Sequence, residues 1–186
     1  MAQYRDRLPQ LDGGLFLTDG GIETTLIFHD GFELPYFAAF YLLKEDAGRA
    51  GLADYFRRHA EVARQAGTGF ILESATWRAS PDWAEKLGYS PEELQRANRA
   101  AIGMLHELRA EFETGDAPVV VSGCVGPRGD GYDAGRIMDP EEAQAYHAPQ
   151  IATFAEADAD MVTAITMTNV NEAIGVTRAA RAAGMP

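Results

Sequence analysis

Cysteine is almost absent from this chain: Cys124 stands alone among 186 residues. No intramolecular disulfide can form, and a reducing, cytoplasmic setting is expected. Basic residues are outnumbered by acidic ones, 16 against 28, for a formal net charge of −12. A surface of that sign repels phosphate backbones and anionic lipid, so neither nucleic acid nor membrane is expected as a partner. Long apolar runs are missing too, none approaching the ~20 residues of a membrane-spanning helix. The start, Met1-Ala-Gln-Tyr-Arg-Asp-Arg7, lacks the apolar core of a signal peptide. Gly126-Pro-Arg-Gly129 has neither the spacing nor the following Lys-Ser/Thr of a phosphate-binding loop. None of the four histidines forms a metal pair. His59, His106 and His147 fall in helical stretches, and His29 lies in a long loop where it is a candidate to line a site.

What is present is one pattern used repeatedly. Pro118-Val-Val-Val-Ser-Gly-Cys-Val-Gly-Pro-Arg-Gly-Asp-Gly-Tyr132 reads as a buried strand running into a glycine-rich loop. The same order recurs at Leu15–Asp19 before Gly20-Gly21, at Gly69–Glu73 before Ser74-Ala-Thr-Trp77, and at Met161–Thr166 before the residues leading to Asn169. Helices fill the intervals. Residues 47–66 carry Leu52, Tyr55, Phe56, Ala60 and Val62 at helical spacing, with Gly67 placed to end the run. Ser90-Pro-Glu-Glu93 is a capping box opening a helix to about Phe112, and Asp139-Pro-Glu-Glu142 opens another, which Pro149 is expected to kink or divide. A last helix is predicted from about Asn171 to Ala183.

Alternating strands and helices imply a parallel sheet. Strands that end in small or polar residues are how a β/α barrel assembles a site at one face. The fold class expected is therefore α/β, a (β/α)8 barrel type, with about the first four βα units in this chain. Eight such units need about 250 residues or more. Residues 1–186 are accordingly read as a single domain forming the N-terminal half of a barrel, with 1–13 as a flexible start.

Leu17-Thr-Asp-Gly-Gly21, Glu73-Ser-Ala-Thr-Trp77 and Ser122-Gly-Cys-Val-Gly-Pro127 occur in that order, and with them the chain resembles the homocysteine S-methyltransferase family. The resemblance runs from about residue 14 to 186. It implies a barrel in which a zinc ion, held by three cysteines, binds the homocysteine thiolate that attacks the methyl group of a small donor such as betaine or S-methylmethionine. Those cysteines have no counterpart here: Cys124 does not match a ligand position, so no cofactor and no catalytic residue is expected in this chain, which is read as inactive alone. By resemblance, Asp19 would face the substrate ammonium. Ile165 stands where the family has a glutamate facing the same group, a departure that leaves Thr166 or Glu73 to take its place, or a different small thiol or amine as substrate.

The candidate substrate-binding residues are thus Asp19, Gly20, Gly21, Glu73, Thr76, Trp77, Gly123, Gly126 and Thr166. Asp19 is read as a ligand carboxylate rather than a turn cap, because it ends a strand. Glu73 is open between a ligand role and a structural ion pair, and Trp77 between pocket wall and simple packing. Cys124 is read as a small buried side chain. Gly123, Gly126 and Gly129 shape the loop, and their amides are candidates for ligand contact. A half barrel leaves two strand edges unpaired, so homodimerisation or other self-association is expected besides a small-molecule partner. A half-barrel with no catalysis of its own remains the non-enzymatic alternative.

Overall fold

A computed structural model describes residues 2–186. Four strands, β1 (Phe16–Thr18), β2 (Gly69–Glu73), β3 (Val119–Val125) and β4 (Met161–Ala164), form one sheet in the order β1-β2-β3-β4, and every pairing is parallel. Six α-helices accompany them: α1 (Ile22–Phe28), α2 (Asp46–Ala66), α3 (Pro81–Lys86), α4 (Pro91–Phe112), α5 (Pro140–Glu156) and α6 (Val170–Ala182). Short 3-10 turns at Pro9–Asp12, Pro35–Phe37 and Ala39–Lys44 complete the elements.

Period-two alternation sorts the sheet's two faces. Phe70, Leu72, Val119, Val121 and Val125 point outward into one core with Tyr55 and Phe56 of α2, Ile102 and Leu105 of α4, and Phe154 of α5. Glu73, Ser122, Cys124 and Thr163 take the alternate positions and face what would be a barrel interior. There the Ser122 and Thr163 hydroxyls are 2.7 Å apart across β3 and β4.

The helix starts follow from their caps. Ser90 Oγ accepts from Glu93 N at 3.2 Å, and Glu93 Oε2 accepts from Ser90 N at 2.7 Å, closing the predicted box on α4. Asp139 caps α5 by accepting from Glu142 N, and Asn169 caps α6 by accepting from Glu172 N, each without the return bond of a box. Gly67 ends α2 with a left-handed φ of 65°.

Two expectations are corrected. Pro149 does not divide α5, which runs unbroken from Pro140 to Glu156. The proline removes one N–H, but buried residues on both sides of it, His147, Ile151 and Phe154 among them, pack both turns against the core. β3 also runs through Gly123, read from sequence as shaping the loop, to Val125, because Ser122–Val125 pair with Met161–Ala164. Gly123 is thus a strand residue. A Cβ there would collide with the Phe154 ring, so its missing side chain lets α5 pack onto the sheet.

At the N-terminal end of the strands, Asp160 is fully buried. Its Oδ2 accepts from Arg109 Nη1 at 2.7 Å and Val121 N at 2.9 Å; its Oδ1 accepts from Gln3 N at 2.7 Å and Tyr4 N at 2.9 Å. Arg5 adds bonds from its guanidinium to the Ala155 and Ala159 carbonyls, so residues 3–5 are stitched to the base of the sheet.

Candidate functional site

At the opposite end, beyond the strand C-termini, lies a cavity of about 1030 Å³. Its floor is the inner sheet face at Thr18, Glu73, Cys124 and Thr163. Its walls come from each strand's exit: Asp19-Gly20-Gly21 and Glu23 after β1, Trp77 and Arg78 after β2, Asp130 and Tyr132 after β3, Ile165 and Thr166 after β4. Tyr36, Phe37 and Trp83 close the side.

Asp19 reaches the cavity because β1 stops at Thr18 and Gly21, at φ 66°, turns the chain into α1. Its Oδ2 accepts a 2.8 Å hydrogen bond from the Tyr55 hydroxyl, while its Oδ1 is enclosed with no partner. Burial raises the Asp19 pKa, against the Tyr55 hydrogen bond and nearby His59. Glu73, last residue of β2, also has an enclosed oxygen without a partner, Oε2. Burial raises its pKa to about 7; the Thr163 and Ser122 hydroxyls oppose the rise and the Asp19 charge adds to it. Glu23 is pushed up as well, chiefly by burial. Three carboxyls in one hollow, two with an unanswered oxygen, are arranged to receive a cation.

Trp77 is a wall residue: its Nε1 donates to Thr166 Oγ1 at 2.9 Å, linking the exits of β2 and β4. The Arg78 guanidinium lies 4.8 Å from the Trp77 ring and 4.1 Å from the Trp83 ring. Backbone strain gathers here. The described non-glycine residues with positive φ are Tyr36, Phe37, Thr166 and Asp158, and the first three line the cavity.

Of the residues named from sequence, Asp19, Gly20, Gly21, Glu73, Trp77 and Thr166 meet in the cavity, whereas Thr76, Gly123 and Gly126 are not among its lining. Thr76 is fully buried, with its hydroxyl 2.6 Å from Ser74 Oγ and donating to the Cys124 carbonyl at 2.7 Å. It ties the β2 exit to β3. Gly126 lies where a Cβ would strike the Trp77 carbonyl and ring, so it makes room for the wall rather than touching an occupant. Sequence reading missed Glu23, Tyr36, Trp83, Asp130 and any role for Arg78. Glu23 lies one turn past Asp19 and was findable on that spacing. Tyr36 lies in a three-residue 3-10 turn and Trp83 in the six-residue α3, both too short for periodicity to mark a residue as inward.

A second cavity, about 730 Å³, lies between α3, α4 and α5. Its buried amides are engaged: Gln150 Nε2 donates to Thr76 O and Asn98 Oδ1, and Asn98 Nδ2 to Ala79 O and Leu94 O. It lacks the converging charges of the first.

The zinc implied by resemblance needs three or four suitable donors. Among the described residues no three His, Cys, Asp or Glu side chains converge to hold a metal ion. Cys124 is buried on the floor, and burial pushes its thiol pKa well up, the reverse of what a thiolate ligand needs. The described residues do not fit a catalytic zinc. Among the described residues no helix is long and apolar enough to cross a membrane.

A parallel β/α sheet with an acidic, ligand-sized hollow beyond its strand C-termini is the arrangement of a β/α-barrel fold. The profile of the family described as Homocysteine S-methyltransferase matches residues 16–186, and the chain belongs to that family. Its fold is similar to the homocysteine methyltransferase MmuM from Escherichia coli. The metallated form gives a TM-score of 0.73 at 21% identity, covering 94% of this chain and 62% of that one. The oxidized form gives 0.73 at 20% identity, covering 94% and 60%. The fold is thus a partial TIM barrel, and the chain spans about three fifths of the length of the structures it matches. A comparison with curated proteins gives no match.

Proposed function

We propose that this chain binds a small amino-acid thiol of the homocysteine type and serves methyl transfer from a small donor to its sulfur. The observation that carries the reading is the pair of enclosed, unpartnered carboxylate oxygens, Asp19 Oδ1 and Glu73 Oε2, on one cavity in a chain of this family. In this reading the substrate ammonium supplies the missing donors. Glu73 stands in for the glutamate that Ile165 replaces; Ile165 itself lines the cavity and offers only apolar contact.

Calorimetric titration with L-homocysteine tests it. Asp19→Asn removes a charge facing the ammonium and is expected to weaken binding about ten- to a hundredfold, the range of a lost charged hydrogen bond. Equal affinity in wild type and variant would remove Asp19 from the site. Because the described donors make no zinc site, the 186-residue chain alone is expected to bind without methylating. Metal analysis should find well under one zinc per chain, and accumulation of methionine with S-methylmethionine or betaine would overturn that part.

Ile165 favours one second reading, a barrel enzyme of the same superfamily acting on another small thiol or amine-bearing substrate. Another small thiol or amine that binds more tightly than homocysteine would select it. The reading also includes self-association: β1 and β4 are the ends of the sheet order, and Leu15 beside β1 is 70% exposed. A second copy could set its β4 against β1. Sedimentation at micromolar concentration should show a dimer, and a monomer whose unfolding ignores concentration would exclude it.

A further inference from the structure

Arg78 is out of place in this cavity. The other charged residues lining it, Asp19, Glu23, Glu73 and Asp130, are acidic. An arginine among four carboxylates would ordinarily pair with one. Among the described residues, Arg78 forms no ion pair, although Arg57, Arg58, Arg64, Arg109, Arg128 and Arg136 all do. Instead the guanidinium stacks between the Trp77 and Trp83 rings. Its Nη1 donates to the Tyr36 carbonyl. Its Nε is enclosed with no acceptor. The Nε–Nη2 edge, which takes a carboxylate side-on, is thus unused among the described residues. Burial lowers the Arg78 pKa, the mark of a charge held away from water without full compensation.

Resting on the amino-acid-thiol reading above, we propose that Arg78 is the specificity-determining residue for the anionic end of the ligand, receiving a carboxylate on its Nε–Nη2 edge. The ligand is then a zwitterion, with its cationic end at Asp19 and Glu73 and its carboxylate at Arg78. A phosphate is disfavoured, because its two charges would enter among four carboxylates with one cation to meet them, whereas a zwitterion enters neutral. The two rings hold the planar guanidinium at a fixed angle, so little freedom is lost on binding. The Tyr36 carbonyl ties the same side chain to the strained turn at Tyr36 and Phe37, both with φ 55°.

The chain's two tryptophans are the two rings on Arg78, so their fluorescence reads this position directly. Three probes separate the ends of the ligand: L-homocysteine; 3-aminopropane-1-thiol, which lacks the carboxylate; and 4-mercaptobutanoate, which lacks the ammonium. Wild-type protein should bind homocysteine about ten- to a hundredfold more tightly than the aminothiol. In Arg78→Met that preference should vanish, with aminothiol binding unchanged and 4-mercaptobutanoate binding lost. Arg78→Lys should recover part of it. Equal wild-type affinity for homocysteine and the aminothiol would overturn the role of Arg78 while leaving the amine reading intact, and it needs no variant to fold. Binding of 4-mercaptobutanoate without homocysteine would overturn the amino-acid reading and leave Arg78 standing. No response to any probe would overturn both.

Discussion

Both ends of the four-stranded sheet bury carboxylates, and they treat them in opposite ways. At the base, each oxygen of Asp160 takes two donors, from Arg109, Val121, Gln3 and Tyr4. At the mouth, Asp19 and Glu73 each keep one enclosed oxygen without a donor. A buried acceptor without a donor costs about 1–3 kcal/mol. The base therefore spends its carboxylate on holding the chain together, and the mouth keeps two carboxylates at a loss in stability. Such a loss persists where an occupant relieves it. The division matches the general barrel rule that one face stabilises and the other binds.

The sharpest way to break the comparison is at the base. Asp160→Ala would leave the Arg109 guanidinium buried with only His106 beside it, and three backbone N–H groups short of an acceptor. A loss of about 3–5 kcal/mol is expected, since breaking a buried pair strands the other charge. Urea unfolding measures it, and a loss below about 1 kcal/mol, the worth of an ordinary exposed pair, would mean the base is not what it looks like.

At the mouth the sign should reverse. Folded Glu73 titrates near 7, above the ordinary 4.5. The folded state thus holds that proton to higher pH than the unfolded chain does. Stability falls as pH rises from about 4.5 through 7, and the full penalty, on the order of 3 kcal/mol, is present above it. Glu73→Gln should remove that slope, so the variant is more stable than wild type at pH 8 and similar to it at pH 4. Parallel stability curves for the two proteins would contradict the assignment.

Asp19→Asn should repeat this more weakly, because Tyr55 already satisfies one oxygen. Unfolding free energy at or slightly above wild type, by up to about 1 kcal/mol, is expected together with the weakened binding described above. A clear loss of stability would move Asp19 to the structural side of the comparison. The smallest effect belongs to a residue at neither end. Ser90→Ala opens the capping box of α4 and should cost about 1 kcal/mol without altering ligand affinity.

The sequence made the mouth more legible than the base. Asp19 and Glu73 were visible because each ends an apolar run, and strand ends in alternating βα chains face a common site. β2 was read with its observed bounds, and the α4 cap with its observed partners, because both rest on local chemistry. Asp160 drew no notice: its donors lie 39 to 157 positions away, and only the folded sheet brings them together. The glycines misled for a related reason. Gly123 looks like a loop residue until β4 is beside it, after which it belongs to a strand and to the Phe154 contact. Arg78 was passed over as the neighbour of Trp77, since nothing local says that its second ring, Trp83, will arrive from α3.

Cys124 turns this architecture into an instrument. It sits on the cavity floor, 5% exposed, and no other thiol competes with it. With so little of it exposed, a thiol-directed reagent should react faster when the strand ends part, so the rate of modification reports on openings of the mouth. An occupant bound above it should slow that clock in proportion to its own occupancy, while changes at the base should quicken it only when the whole sheet comes apart.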